Sequence, residues 1–224
     1  TTFWPGSRRF PNDQNMRRST LIIFAIACFS FSSYAQTATQ YFLSGNEFFK
    51  QQKWVEAEKA YTDCIRVSPI DVSCYFNRGL TRQLGIGYGL ALEDFNKVIL
   101  FRPDAKAYNA RGSVLASLKR YTEALADFDK AIQLQPIYPG AVYERAMTFE
   151  KMGNVAKAIE NYTLAINQRP GYGNAHLARG RLYEKGGRQA EALADYSKAI
   201  ASDANDAGAL YARGSLNFKN GKVD

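Results

Sequence analysis

The 224-residue chain has little of the material from which most catalytic and metal sites are built. It contains one histidine, His176, and three cysteines, none of them in a Cys-x-x-Cys pair. Most metal sites and nucleophile–base pairs need histidine or paired cysteine. We therefore expect no enzyme activity, no metal and no cofactor.

A strong excess of one charge is also missing from the body of the chain. The formal net charge is +8, but residues 36–224 carry 25 basic and 20 acidic side chains, spread without a Lys/Arg run. Nucleic-acid-binding arms concentrate such charge. The sequence therefore indicates a partner other than nucleic acid.

Residues 16–35 have the pattern of an export signal. Arg17 and Arg18 precede an apolar stretch of 11 residues, and small residues follow at Ser33 and Ala35. A positive start, a short apolar region and a small-x-small site are typical of a cleaved signal peptide. The apolar stretch is short for a membrane span. This predicts an exported protein, periplasmic or associated with the cell envelope.

Two alternatives to cleavage remain open. The segment could stay uncut as an N-terminal anchor, or Cys28 could carry a lipid. Residues 1–15 precede Met16 and are interpreted as an upstream segment foreign to the protein.

The chain repeats itself with a period of 33 or 34 residues. Prolines recur at Pro69, Pro103, Pro136 and Pro170. Arg-Gly recurs in the same phase, with one Arg-Ala, and the arginines are Arg78, Arg111, Arg145, Arg179 and Arg213. Such a period is the signature of a repeat architecture.

With these repeats the sequence resembles the tetratricopeptide-repeat family. The resemblance implies an all-α fold, a right-handed α-α superhelical solenoid in which each repeat is a hairpin of two helices, A and B. The predicted domain is 36–224, and the resemblance covers residues 38–224, with repeats at 38–71, 72–104, 105–138, 139–172, 173–206 and a partial 207–224.

The recurring residues have physical roles when each repeat is numbered from 1. Gly or Ala at positions 8 and 20 lets the two helices approach closely. An aromatic residue at position 24 fills the space beside the crossing. Proline at position 32 ends helix B because it lacks an N–H.

Arginine at position 7 and aspartate at position 23 vary together, which predicts ion pairs across the hairpin. The expected pairs are Arg78–Asp94, Arg111–Asp127 and Arg179–Asp195. We interpret them as structural.

The resemblance also implies where a partner would bind. In the family, helix A positions 2, 5, 9 and 12 line a concave groove that holds a protein or peptide. Aromatic residues and methionine suit such a surface. The candidate partner-binding residues are Phe42, Asn46, Phe49, Phe76, Leu80, Asn109, Tyr143, Met147, Leu177 and Arg181. The carboxylate clamp of some relatives is not supported, because Phe42 stands where that clamp needs lysine.

The predicted function is a scaffold for protein–protein interaction. Alternatively, the repeats are the sensor or docking region of a longer signalling or enzymatic protein whose other domain follows Asp224. The last repeat, which stops after helix A, also suggests weak self-association through its apolar surface. The partner's identity cannot be read from the sequence.

Three further features have modest interpretations. Residues 85–89 contain three glycines and are predicted to form the turn between helices A and B of repeat two. His176, at position 4, is predicted to pack in the core. Cys64 and Cys74 lie on consecutive helices, where packed free thiols are the expected outcome and a disulfide is the alternative.

Overall fold

The computed structural model describes residues 37–85 and 87–221. Eleven α-helices and no strand form this part of the chain. The all-α class and the paired-helix repeat are therefore confirmed. The predicted upstream segment 1–15, the signal peptide 16–35 and Cys28 lie outside the described residues.

Helices A and B alternate along the chain. The A helices are α1 (37–50), α3 (Val72–Leu84), α5 (Ala105–Ser117), α7 (Pro139–Lys151), α9 (Gly173–Lys185) and α11 (Ala207–Lys219). The B helices are α2 (Trp54–Val67), α4 (Tyr88–Phe101), α6 (Tyr121–Leu134), α8 (Val155–Gln168) and α10 (Gln189–Ser202). From α3 onward every A helix begins at the predicted first residue of its repeat.

The turn between helices A and B contains one residue with a left-handed backbone conformation. Repeat position 15 has a positive φ at Gln52, Lys119, Gly153, Gly187 and Gly221. Glycine adopts this conformation without steric cost, whereas a side chain is strained there. The turn predicted at residues 85–89 is confirmed for Gly85 and Gly87, which lie between α3 and α4, and is wrong for Gly89, which lies in the first turn of α4.

Two compact units divide the chain, residues 1–77 and residues 78–224, and the division falls within α3. In the first unit, α1 and α2 form one hairpin with the start of α3. Its buried cluster consists of Ala38, Cys64 and Cys74, against which Tyr41 and Phe42 pack.

A disulfide joins Cys64 of α2 to Cys74 of α3, with a Cα–Cα distance of 6.2 Å. The expectation of two free thiols is therefore wrong. The physical reason is visible in the other repeats: position 27 of one repeat meets position 3 of the next, as in the buried pairs Ala131–Ala141 and Ala165–Ala175. The two cysteines hold these same two positions.

A carboxylate lies beside the disulfide. The side-chain donor atoms of Asp71, Cys64 and Cys74 lie within 4.8 Å of one another. The sulfurs are consumed by the covalent bond, and Asp71 caps α3 by accepting hydrogen bonds from the backbone N–H groups of Ser73 and Cys74. This cluster therefore consists of a disulfide crosslink and a helix-capping aspartate.

In the second unit, the hairpins α5–α6, α7–α8 and α9–α10 stack in sequence order. Helix α4 and the B helices of these three hairpins bury the position-20 alanine and the position-24 aromatic residue completely; the aromatic residues are Phe95, Phe128, Tyr162 and Tyr196. A single hairpin cannot bury its apolar face alone, and stacking buries a continuous core.

The small residue at position 8 makes room for this aromatic ring. A Cβ added to Gly112 would lie 2.8 Å from Cε1 of Phe128, and one added to Gly180 would lie 2.8 Å from Cε1 of Tyr196. The nearest atoms thus belong to position 24 and not to the alanine at position 20. At Gly214, by contrast, an added Cβ meets nothing within 4 Å.

We predict opposite effects for the same substitution at two equivalent positions. Gly112→Ala should lower the free energy of unfolding by about 1–3 kcal/mol, because the methyl group overlaps the Phe128 ring in a close-packed core. Gly214→Ala should leave it unchanged or raise it by up to about 1 kcal/mol, because alanine favours a helix interior. Urea unfolding measures both, and equal effects would contradict the proposed role of position 8.

We also predict that the disulfide stabilises the first unit by about 2–3 kcal/mol, since it closes a short loop in the unfolded chain. Thiol reductant should increase amide hydrogen exchange in α2 and at the start of α3. The double variant Cys64→Ala, Cys74→Ala, which restores the alanine pair of the other repeats, should not respond to reductant. Alkylation of Cys64 without prior reduction would show that the bond is not formed.

Candidate functional site

The predicted ion pairs across the hairpin are present. Arg111 donates from Nε to Asp127 Oδ2 and from Nη2 to Asp127 Oδ1, both at 2.7 Å. Arg179 donates to both oxygens of Asp195 at 2.8 Å. Hydrogen bonding to Asp127 raises the pKa of Arg111 further. The bidentate geometry is the strongest form of an arginine–carboxylate contact.

Two further arginines at position 7, Arg78 and Arg145, vary the pattern. Arg78 donates to Asp94, which also accepts a hydrogen bond at 2.9 Å from Arg82. Arg145 donates to the neutral Asn161 at 2.8 Å. The contact between positions 7 and 23 is therefore kept even where the carboxylate is replaced by an amide.

Each of three arginines has a second partner in the preceding repeat. Nη1 of Arg111 donates to Asn96, Nη1 of Arg145 to Asp129, and Nη1 of Arg179 to Thr163, at 2.9, 2.6 and 2.9 Å. All three partners stand at repeat position 25. The arginine thus joins its own hairpin and also ties that hairpin to the one before, a role that the sequence analysis missed.

His176 extends this network. The prediction that it packs in the core is confirmed, since the side chain is buried. Its Nδ1 lies 2.9 Å from Asp195 Oδ1 and its Nε2 lies 3.0 Å from the carbonyl oxygen of Pro170. Because both ring nitrogens contact protein atoms, His176 holds the hairpin together.

We call the side chains at positions 5, 9 and 12 of the A helices the A-helix face. In the first unit, three of its predicted binding residues contact their own hairpin. Phe42 packs against Tyr61 with ring centroids 6.2 Å apart, and Phe49 packs edge-on against Trp54 at 5.3 Å. Asn46 Oδ1 accepts hydrogen bonds from Tyr61 and Asn77. Phe76 is half-buried.

In the second unit, Leu80, Asn109 and Leu177 are half-buried. Leu177 packs against the buried cluster that contains Tyr196. The Oδ1 atom of Asn109 is buried and has no hydrogen-bond partner within the described residues. An unsatisfied buried acceptor costs about 1–3 kcal/mol.

The remaining three predicted residues, Tyr143, Met147 and Arg181, come together around one cavity. It has a volume of about 400 Å³ and lies on the A-helix face between α7 and α9. Four residues outside the predicted set complete its lining: Glu150, Lys151, Tyr162 and Ala178. Pockets of this size with apolar walls and a few polar groups are typical of ligand sites.

Tyrosines form one wall of this cavity. The ring of Tyr143 lies 5.6 Å from that of Tyr162 and 5.1 Å from that of Tyr172. Burial raises the pKa of Tyr143 to about 12 and raises that of Tyr162 as well. Tyr162 donates a 2.7 Å hydrogen bond to Oε2 of Glu150. The phenols are therefore neutral at physiological pH, and one oxygen of Glu150 is already engaged.

Arg181 is one of two exposed cations in the lining of this cavity, with Lys151. Within the described part of the chain it makes no hydrogen bond and no ion pair. Its charge acts on Tyr143, where it opposes the rise in pKa. In the next repeat, Glu184 accepts hydrogen bonds from Tyr196 and Lys219, and these contacts lower its pKa.

A second cavity, of about 290 Å³, lies beside Arg111 and Asp127, and its lining includes Leu115, Arg120 and Glu123. Arg111 is bound to Asp127, and Arg120 donates to both oxygens of Glu123 at 2.7 Å. Because its charges are mutually neutralised, this cavity offers less to a ligand than the one beside Arg181.

The helices of the described region are too short and too polar to cross a lipid bilayer. On α11, Tyr211 and Phe218 are almost fully exposed. Self-association through this helix stays a prediction.

Comparison with known proteins agrees with the repeat architecture. Models of the tetratricopeptide repeat match residues 105–138 and 143–207. A paired-helix repeat with this spacing and these fixed positions defines a class of α-helical repeat proteins. Residues 105–138 and 143–207 are therefore tetratricopeptide repeats.

Part of this chain is similar in sequence to proteins of known name. Hsp70-Hsp90 organizing protein 1 of Glycine max is 37% identical over 93 residues, which are 41% of this chain and 16% of that protein. The chain thus spans about a sixth of the length of such relatives.

Solved structures share the fold. The MamA protein is 27% identical, with a TM-score of 0.63 over 77% of this chain and 95% of MamA. PilW, a type IV pilus biogenesis factor, is 20% identical, with a TM-score of 0.74 over 83% of this chain and 87% of PilW. At that identity, PilW shows the fold alone.

We predict that Arg111→Leu lowers the free energy of unfolding by about 2–4 kcal/mol, because it leaves the buried Asp127 carboxylate without its cation. The expected loss is smaller than that for a fully buried ion pair, because a quarter of the Arg111 side chain is exposed. Chemical denaturation measures the change.

Two variants test the cause of that loss. Arg120→Leu, which removes an exposed ion pair with Glu123, should cost less than about 1 kcal/mol. The double variant Arg111→Leu, Asp127→Leu should recover part of the loss, because no unpaired charge remains buried. A normal unfolding curve for Arg111→Leu would contradict the role of this pair.

Proposed function

We propose that the chain is a non-catalytic scaffold that binds an extended segment of a protein partner along the A-helix face of residues 78–221. The cavity between α7 and α9 carries this proposal. It gathers three of the predicted binding residues, Tyr143, Met147 and Arg181, on one open surface. Aromatic residues, methionine and arginine are enriched where proteins bind one another.

Asn109 supports the same surface. It stands at position 5 of its repeat, the position that Tyr143 holds in the next, so both belong to the A-helix face. Its unpaired Oδ1 can accept a hydrogen bond from a peptide N–H once the side chain rotates outward. Such a bond would remove the cost of the unsatisfied acceptor.

A binding role also fits the way that the chain uses its charged and catalytic-type residues. His176, Arg111 and Arg179 contact groups of the protein itself, and those contacts hold the hairpins. The groups that remain open, at the cavity beside Arg181, recognise shape and charge. The Hsp70-Hsp90 organizing proteins, which share part of the sequence, are named for the proteins they organise.

We propose in addition that the protein is exported to the periplasm or cell envelope. The signal-like pattern of residues 16–35 supports this location. The disulfide between Cys64 and Cys74 supports it independently, because such bonds persist in oxidising compartments and are rare in the cytosol.

Site-specific photo-crosslinking tests the binding surface. We predict that a photoreactive amino acid at Met147 forms crosslinks to one contiguous segment of a partner protein, identified by peptide mass spectrometry. The matched control is the same amino acid at Leu164, an exposed residue of α8 in the same repeat. Adding Tyr143→Ala should reduce the yield at Met147, with circular dichroism confirming that the variant folds.

Equal yields at Met147 and Leu164, or crosslinks from Leu164 alone, would place the partner on another surface and refute the proposal.

A further inference from the structure

We propose that the cavity between α7 and α9 takes a large apolar side chain of a peptide, and that Arg181 pairs with an acidic side chain beside it in the same peptide. This inference rests on the proposed function, since it specifies the chemistry of the segment that the A-helix face would bind.

The walls of the cavity select an apolar side chain. Tyr143 presents its aromatic ring, the fully buried ring of Tyr162 lies behind it, and Met147 and Ala178 complete the apolar lining. The tyrosine hydroxyls are neutral at physiological pH, and burial raises their pKa values still further above it. Methionine adjusts its shape to an irregular ligand, so the cavity accepts phenylalanine, leucine or methionine more readily than a charged group.

The polar groups at the cavity favour a carboxylate next to that side chain. Arg181 is exposed and has no partner within the described residues, unlike Arg111 and Arg179, whose guanidinium groups are bound to aspartates. Glu150, the acidic residue of the lining, keeps its charge while it accepts the hydroxyl hydrogen of Tyr162, and the two cations of the lining, Lys151 and Arg181, outnumber it. A guanidinium gains more from a carboxylate than from a neutral group.

The net positive charge of the second unit also favours an acidic peptide. Residues 78–221 contain 20 lysines and arginines against 14 aspartates and glutamates. Lys151 is a second exposed cation in the cavity lining. An acidic peptide is therefore attracted over a distance and a basic peptide is repelled.

Selection from a random library tests this chemistry without a known partner. Phage would display random dodecapeptides within a loop of the coat protein, so that no free C-terminal carboxylate is present. We expect the chain to enrich peptides in which a large apolar residue stands within two positions of Asp or Glu. Selection on Arg181→Gln should keep the apolar preference and lose the acidic one. Lys198→Gln, which removes an exposed cation on α10, should change neither.

A charge swap makes the test specific to Arg181. With a synthetic peptide of the enriched sequence, Arg181→Gln should raise Kd about tenfold, the loss expected for one charge-assisted pair. Arg181→Glu should weaken binding further, and replacing the acidic residue of the peptide by lysine should restore it. Fluorescence anisotropy measures each Kd.

The outcomes separate this inference from the function on which it rests. Enriched peptides that bind the A-helix face without an acidic preference, or that Arg181→Gln binds equally well, would overturn the inference and leave the scaffold proposal standing. The same holds if the synthetic peptide binds only when it ends in a free C-terminal carboxylate, or if the chain self-associates in solution and the peptide competes with that association. No enrichment, together with equal photo-crosslinks at Met147 and Leu164, would overturn both.

Discussion

The second unit of this protein depends on the hydrogen bonds and ion pairs that the arginine at repeat position 7 makes. Its guanidinium joins the two helices of its own hairpin through position 23 and reaches position 25 of the preceding repeat. Helices joined only by hydrophobic contacts can shift along one another, whereas a planar guanidinium that is bound by two partners allows little shift. These contacts therefore fix the register in which consecutive hairpins stack, and the stacking in turn brings α7 and α9 to the spacing that leaves a cavity between them.

Much of the fold could be predicted because the residues that build it recur in phase. Gly112 must be small because it abuts Phe128, and the same demand reappears in nearly every repeat. The second partner of the arginine could not be found this way, because Asn96, Asp129 and Thr163 share only polarity. The disulfide could have been predicted from the repeat positions. Position 27 of one repeat meets position 3 of the next, and at the junction of repeats one and two both positions are cysteine.

The candidate site was predicted less well, because an exposed position and a packing position look alike in sequence. Phe42 and Phe49 follow the spacing of the groove, yet each packs against an aromatic residue of its own hairpin. Tyr162 was assigned to the core from its repeat position, and it is indeed buried, but its ring also lines the cavity. Which groove residues remain open depends on what the neighbouring side chains fill, and no periodic pattern records that.

The division between fixed and variable positions explains how one architecture can carry a specific site. In repeats four and five, the position-24 tyrosine donates to the position-12 glutamate in the same way. In repeat five, Lys219 neutralises that glutamate from the following helix. In repeat four the neighbouring A helix presents Arg181, which makes no ion pair within the described residues. The recurring contacts are thus alike, and the position-9 side chain, which is Arg181 on α9 and Ser215 on α11, gives the cavity between α7 and α9 its cation.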